Sequence, residues 1–191
     1  RPGVLLPLAG CLLAALLLYD ARLHIWDEIS YWGMASRIVG TEHRLLLPTD
    51  TLRPLDYPPG ITLFHAFFLR IVPFGDGTLY VAHAALWILP LAVLLRGCGW
   101  GRAAAMAAVA AFAVQIFGVG GLVKLYSDHI LGVYLGVGAY LALAARTSPR
   151  ALVPLCCIAA FLPLVKSSGL LLAVCLALSG LAALGAARLR G

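Results

Sequence analysis

Residues 4–19, 78–95, 103–119, 130–145, 151–165 and 169–187 form six apolar runs that contain no Asp, Glu, Lys or Arg. Each approaches the roughly 17–25 residues that an α-helix needs to cross a bilayer. The period-two alternation of barrel strands is missing, and in lipid every backbone N–H and C=O must pair within a helix or a closed sheet. The pattern therefore predicts an all-α, polytopic transmembrane helix bundle of about six spans. Pro154 and Pro163 fall in the shortest run. Membrane helices tolerate such prolines where neighbouring groups satisfy the freed backbone. Gly132, Gly136 and Gly138 allow close helix packing.

Residues 61–74 are apolar too, but His65 and Arg70 interrupt them and the stretch is short for a crossing. Charge decides its placement. If it does not cross, Arg1, Arg96, Arg102, Arg146, Arg150, Arg188 and Arg190 all fall on one side, with no acidic residue among them. Such a bias marks a cytoplasmic face. Residues 20–77 are then a single extracytoplasmic loop, with 61–74 a helix lying on or dipping into the membrane surface. Seven of the eight acidic residues belong to this loop: Asp20, Asp27, Glu28, Glu42, Asp50, Asp56 and Asp76. The eighth, Asp128, opens a helix on the same side, where Lys124 and Lys166 also fall. Polar chemistry is thereby predicted to gather on one face.

Within the loop, residues 26–39 read as an amphipathic helix, with Ile29, Trp32, Ala35 or Ser36, and Val39 at helical spacing and Tyr31 and Trp32 suited to the headgroup zone. Pro48, Pro54, Pro58, Pro59 and Gly60 then exclude a regular helix. Composition agrees with the pattern: the 191 residues are 62% hydrophobic and 12% charged, with a mean hydropathy of +0.97. A net charge of +6 would suggest nucleic acid in a soluble chain. Here the basic residues sit in short links, which makes them a topology signal and excludes a nucleic-acid partner. Four of the five cysteines (Cys11, Cys156, Cys157, Cys175) lie in apolar runs and Cys98 in a tight link, so they read as small core residues. The first run lacks a small-residue cleavage site and reads as a retained anchor.

Four groups of residues carry candidate chemistry. Asp27-Glu28 stands at the start of the amphipathic helix; the bland reading is capping and solubility, the functional one a carboxylate that accepts a proton from a hydroxyl beside a second that binds an acceptor or metal ion. Tyr57-Pro58-Pro59-Gly60 is a turn launching the next helix, rigid enough to shape a site. In Tyr126-Ser127-Asp128-His129, Asp128 caps a helix or, with His129, serves a site, since ionisable groups at membrane depth are costly. Lys166-Ser167-Ser168-Gly169 either lets an ammonium snorkel to the interface or holds an anion with its charge and the helix N-terminus behind it.

Taken in order, these residues resemble the GT-C superfamily of membrane glycosyltransferases, in particular the branch of the protein O-mannosyltransferases and aminoarabinose transferases. The resemblance rests on one span, a long outer loop with Asp27-Glu28, the turn Tyr57-Pro58-Pro59-Gly60 before an apolar helix, basic links on the other face, Asp128, and the turn at Lys166. It implies transfer of a sugar from a lipid-linked polyprenyl-phosphate donor to an extracytoplasmic acceptor hydroxyl of a glycan, lipid or protein, with inversion, in a bacterial plasma or inner membrane. It implies Asp27 as general base with Glu28 assisting, Lys166 at the donor phosphate, Asp128 and His129 on the donor side, and Tyr57 on the acceptor or sugar side. Some relatives use a divalent metal ion and others none, so the metal stays open. Members usually have more spans and a soluble portion, so the resemblance implies that residues 1–191 are a single transmembrane domain from the amino-terminal part of a larger enzyme. A transporter or flippase for a lipid-linked or anionic solute is the competing reading, since Lys166 and Asp128 suit an ion path as well.

Overall fold

A computed structural model describes residues 1–50, 52, 57–117 and 124–188, the side chains of 110–117 and 186–188 excepted. Pro54, Asp56, Val119 and Arg190, which entered the sequence reading, lie outside the described residues, as do the side chains of Ala187 and Arg188. The described residues are helical and contain no strand. The elements are α1 (Pro2–Leu18), a π-helical turn (Glu28–Trp32) continuing into α2 (Gly33–Thr41), α3 (Gly60–Phe68), α4 (Asp76–Ile88), α5 (Leu91–Leu95), α6 (Trp100–Phe117), α7 (Ser127–Ala144), α8 (Leu152–Val165) and α9 (Gly169–Arg188). Residues Asp76–Leu95 (20 residues, mean hydropathy 2.0) and α7 (18 residues, mean hydropathy 1.2) are long and apolar enough to cross a membrane. The helices Pro2–Leu18, Pro149–Val165 and Gly169–Gly185 are apolar but shorter. Among the described residues, two helices of crossing length thus stand where six spans are predicted.

Close backbone contacts fix the directions of the helices. A Cβ on Gly77 would fall on the carbonyl oxygens of Leu18 and Tyr19, and one on Gly3 would lie 3.0 Å from the Leu95 carbonyl. The start of α4 therefore meets the end of α1, and the end of α5 meets the start of α1. Residues 20–77 leave and return at the same end of the bundle. At nine residues and about 1.5 Å per residue, α3 cannot bridge the roughly 30 Å of a hydrocarbon core. Arg1, which precedes α1, and Arg96, Arg146 and Arg150, in the links that join the opposite helix ends, stand at the other end.

The central element is α4, buried at almost every position from Gly77 to Ile88. It packs against α1 and α7, while α7, α8 and α9 pack on one another. Pro90 has no N–H to continue the ladder, and a turn at Leu89-Pro90 separates α4 from α5. The outside of the bundle is apolar: Leu12, Leu16 and Leu17 on α1 and Leu171, Leu178 and Leu181 on α9 are each more than 60% exposed. A run of such side chains on one surface marks a face meant for an apolar environment.

Four sequence expectations change. The helix expected over 61–74 spans only Gly60–Phe68, because Pro73 removes a donor and biases Val72 away from helical geometry. Ile29, expected on one helix face with Trp32, Ala35 or Ser36, and Val39, is 52% exposed while those residues are buried, and Glu28 is buried instead. The π turn explains this: Gly33 N–H donates to Glu28 O, five residues back, which rotates the helix face by one residue relative to α-helical spacing. Tyr31 and Trp32, expected in the headgroup zone, are buried against Tyr57, with ring centroids 5.1 Å away in both cases. Cys156, Cys157 and Cys175 are exposed on the apolar outer surface rather than in the core.

Candidate functional site

The site is built from the order of polar groups along residues 22–28. Leu23 N–H donates to Asp76 Oδ2 at 3.3 Å, tying the loop to the start of α4. The helix that follows places two adjacent carboxylates in opposite environments. Asp27 is exposed, whereas Glu28 is completely buried.

Burial of a carboxylate is tolerated only where donors surround it. Glu28 Oε2 accepts from the Tyr80 hydroxyl at 2.6 Å and from the His24 and Ile25 N–H groups at 3.5 and 3.4 Å. Its Oε1 accepts from Leu125 N–H at 2.9 Å. On the neighbouring residue, His83 Nε2–H donates to the Tyr126 carbonyl at 3.2 Å. The extended segment 124–126 is thus held through its backbone from two sides, by the loop helix and by α4.

That segment carries side chains to the same end. Tyr126 is half-buried, and burial, followed by the charges of Asp27 and Glu28, raises the pKa of its phenol above the ordinary 10.0. The Lys124 ammonium lies 5.5 Å from the Tyr126 ring centroid, within cation–π range. Asp128, on the first turn of α7, accepts from Lys166 Nζ at 2.7 Å, with side-chain exposures of 67% and 30%. His129 beside it is half-buried. Lys166 itself ends α8 in extended backbone before Gly169 starts α9, and a Cβ on Gly60 would lie 2.5 Å from the Leu164 carbonyl oxygen, so α3 also docks here.

Of the residues selected from sequence, Asp27, Glu28, Asp128, His129 and Lys166 share one end of the bundle, and Lys166 pairs directly with Asp128. Tyr57 is half-buried at the same end; its ring stacks on Trp32 and its carbonyl accepts from the Tyr31 hydroxyl at 3.5 Å. Glu28 is enclosed, its oxygens occupied by protein donors, and it does not face the open side that Asp27 faces. Among the described residues no three His, Cys, Asp or Glu side chains converge to hold a metal ion.

Tyr80 and His83 within an apolar helix, and Leu125 through its backbone, organise this end without a local motif, and His65 in α3 shows in the sequence only as an interruption of residues 61–74. A polar residue inside an apolar run, such as His83, is the one hint available, since burial there demands a partner. Comparisons with family models, with curated proteins and with solved structures give no match.

Proposed function

We propose that the chain is the membrane-embedded part of a glycosyltransferase that moves a sugar from a polyprenyl-phosphate donor to a hydroxyl of an extracytoplasmic acceptor. In this reading the apolar helices span as a bundle of about six, and the end bearing Arg1, Arg96, Arg146 and Arg150 is cytoplasmic. The observation that carries it is the division of labour between adjacent carboxylates: a buried Glu28 locks segment 124–126 in place, and an exposed Asp27 stands free beside it. A transporter is less well supported, because the ionisable groups gather at one end instead of lining a path through the middle of the bundle.

Asp27 takes the proton from the acceptor hydroxyl as its oxygen attacks the anomeric carbon. The bond from that carbon to the phosphate oxygen breaks, the configuration inverts, and the polyprenyl phosphate leaves with the extra negative charge. Lys166 receives that charge, a preorganised cation being worth most where charge develops. Glu28 acts by positioning Asp27 and Tyr126, and Tyr57 borders the acceptor side. A divalent ion remains an open element of this reading.

Asp27→Asn tests it, in native-membrane preparations supplied with labelled polyprenyl-phosphate sugar. Transfer should fall by about 10²–10⁴-fold, the usual contribution of a general base. Insertion and thermal stability should stay as in the parent, because the side chain is exposed. Unimpaired transfer removes Asp27 from the mechanism.

A further inference from the structure

His65 on α3 and His83 on α4 are both buried, at 0% and 2% exposure, with ring centroids 5.6 Å apart. Each ring uses one nitrogen in a hydrogen bond to a group outside the pair. His65 Nδ1 lies 2.8 Å from Ser36 Oγ on α2, itself fully buried. His83 Nε2 lies 3.2 Å from the Tyr126 carbonyl. The other two nitrogens, His65 Nε2 and His83 Nδ1, are buried and have no hydrogen-bond partner among the described residues.

A carbonyl only accepts, so His83 must carry its proton on Nε2, which leaves Nδ1 as a lone pair. Ser36 allows two arrangements. If its hydroxyl accepts from His65 Nδ1–H, His65 Nε2 is also a lone pair, and the two neighbouring rings present two buried acceptors. If instead the hydroxyl donates to Nδ1, His65 Nε2–H is a donor set beside the His83 acceptor. One water satisfies either arrangement, donating to both lone pairs in the first and accepting from Nε2–H while donating to Nδ1 in the second, and buried polar groups are overwhelmingly satisfied. Neutral imidazoles suit such a site: burial, then the neighbouring His83, holds the His65 pKa well below its ordinary 6.5.

We propose that one internal water bridges His65 Nε2 and His83 Nδ1, completing a hydrogen-bonded chain from Ser36 through His65, the water and His83 to the Tyr126 carbonyl. Buried waters occupy such polar gaps, at about one per 27 residues of a globular protein, and aligned hydrogen bonds reinforce one another. The chain ties α2 and α3 to α4 and to the segment bearing Tyr126. His83 is then a positioning residue for the candidate site, an assignment that rests on the functional reading above, whereas the water bridge does not.

Imidazole ¹⁵N NMR of the intact protein in lipid nanodiscs tests the bridge, with the two residues assigned by His65→Gln and His83→Gln. Both should be neutral, with His83 protonated at Nε2. Ser36→Ala, which removes the hydroxyl at the head of the chain, should shift Nδ1 of His65 and, through the water, Nδ1 of His83. A His83 resonance indifferent to Ser36→Ala overturns the bridge. For positioning, His83→Gln keeps a donor toward Tyr126 and should retain transfer within about threefold, while His83→Leu should lower kcat at least tenfold with KM little changed. Equal loss in both variants rejects the positioning role alone, and absence of transfer in the parent protein rejects the functional reading alone.

Discussion

The Glu28 carboxylate and the Leu125 amide, 97 positions apart in the chain, meet at 2.9 Å inside the protein. This contact joins the loop after α1 to the segment before α7, and Tyr80 joins both to α4. Glu28→Ala should therefore cost several kcal/mol, since it leaves the Tyr80 hydroxyl and the His24, Ile25 and Leu125 N–H groups without their acceptor, at about 1–3 kcal/mol for a buried donor left unpaired. Glu28→Gln keeps an oxygen for Leu125 N–H but sets an NH₂ against the donors on the other side, and should cost about 1–3 kcal/mol. Thermal unfolding in detergent reads the order. A Glu28→Ala protein as stable as the parent would mean that the carboxylate is not enclosed.

Glycines at this end and along α7 should respond with opposite sign. An added methyl on Gly77 falls on the Leu18 and Tyr19 carbonyls, which are backbone and cannot swing aside. Gly77→Ala should destabilise by about 1–3 kcal/mol, as overpacking does. Around Gly132 and Gly136 nothing lies within 4 Å of the added atom, so alanine there should gain about 0.5–1 kcal/mol from helix propensity. Unfolding of the three single variants distinguishes the cases. Equal effects would contradict the docking of α4 onto the end of α1.

Much of the fold is legible because apolar runs are long-range statements about solvent: positions 78–95 and 130–145 mark the helices Asp76–Leu95 and Ser127–Ala144 to within three residues. The single-ended loop is likewise legible, since arginines sort by face. What fails is phase and depth. Ile29 is misplaced because a π turn is not visible in a 3.6-residue pattern. Tyr31 and Trp32 are misplaced because their partner, Tyr57, lies across a proline-rich stretch whose path no local rule predicts. For the site, sequence finds Asp27, Asp128 and Lys166 as unusual charges, but the different fates of Asp27 and Glu28 depend on Tyr80 and Leu125, both distant in sequence.

Arg44 and Asp50 tie the loop after α2 into a knot: Arg44 Nη1 and Nη2 donate to Asp50 Oδ2 and Oδ1 at 2.8 and 2.9 Å, and Leu47 N–H donates to Oδ2 at 2.7 Å. The Arg44 hydrogen bonds, then the Leu47 amide, lower the Asp50 pKa from 3.8 to about 2. A pKa lowered on folding adds stability above the unfolded value and loses it as pH falls through the folded one. The knot should thus hold at pH 5 and open between about pH 4 and pH 2, with the Leu47 amide resonance reporting the change. Asp50→Asn should leave that resonance flat over the same range, and a pH dependence that survives the substitution would assign it to another group.

Lys166 and Asp128 supply the sharpest discrimination. They are partly exposed, so the pair should add only about 0–1 kcal/mol to folding, and substitutions should leave unfolding nearly unchanged. Their effects on donor use should be opposite. If Lys166 receives the donor phosphate, Asp128 competes for the same ammonium and must give it up when donor binds. Lys166→Ala should raise the donor KM about tenfold, equivalent to about 1.4 kcal/mol, and Asp128→Asn should lower it by freeing the ammonium. Raised ionic strength should favour the free ammonium in the parent by screening the pair, an effect absent from Asp128→Asn. Steady-state kinetics with detergent-solubilised protein measures all three. A donor KM raised by both substitutions would instead make Asp128 part of the donor contact and leave Lys166 as its holder.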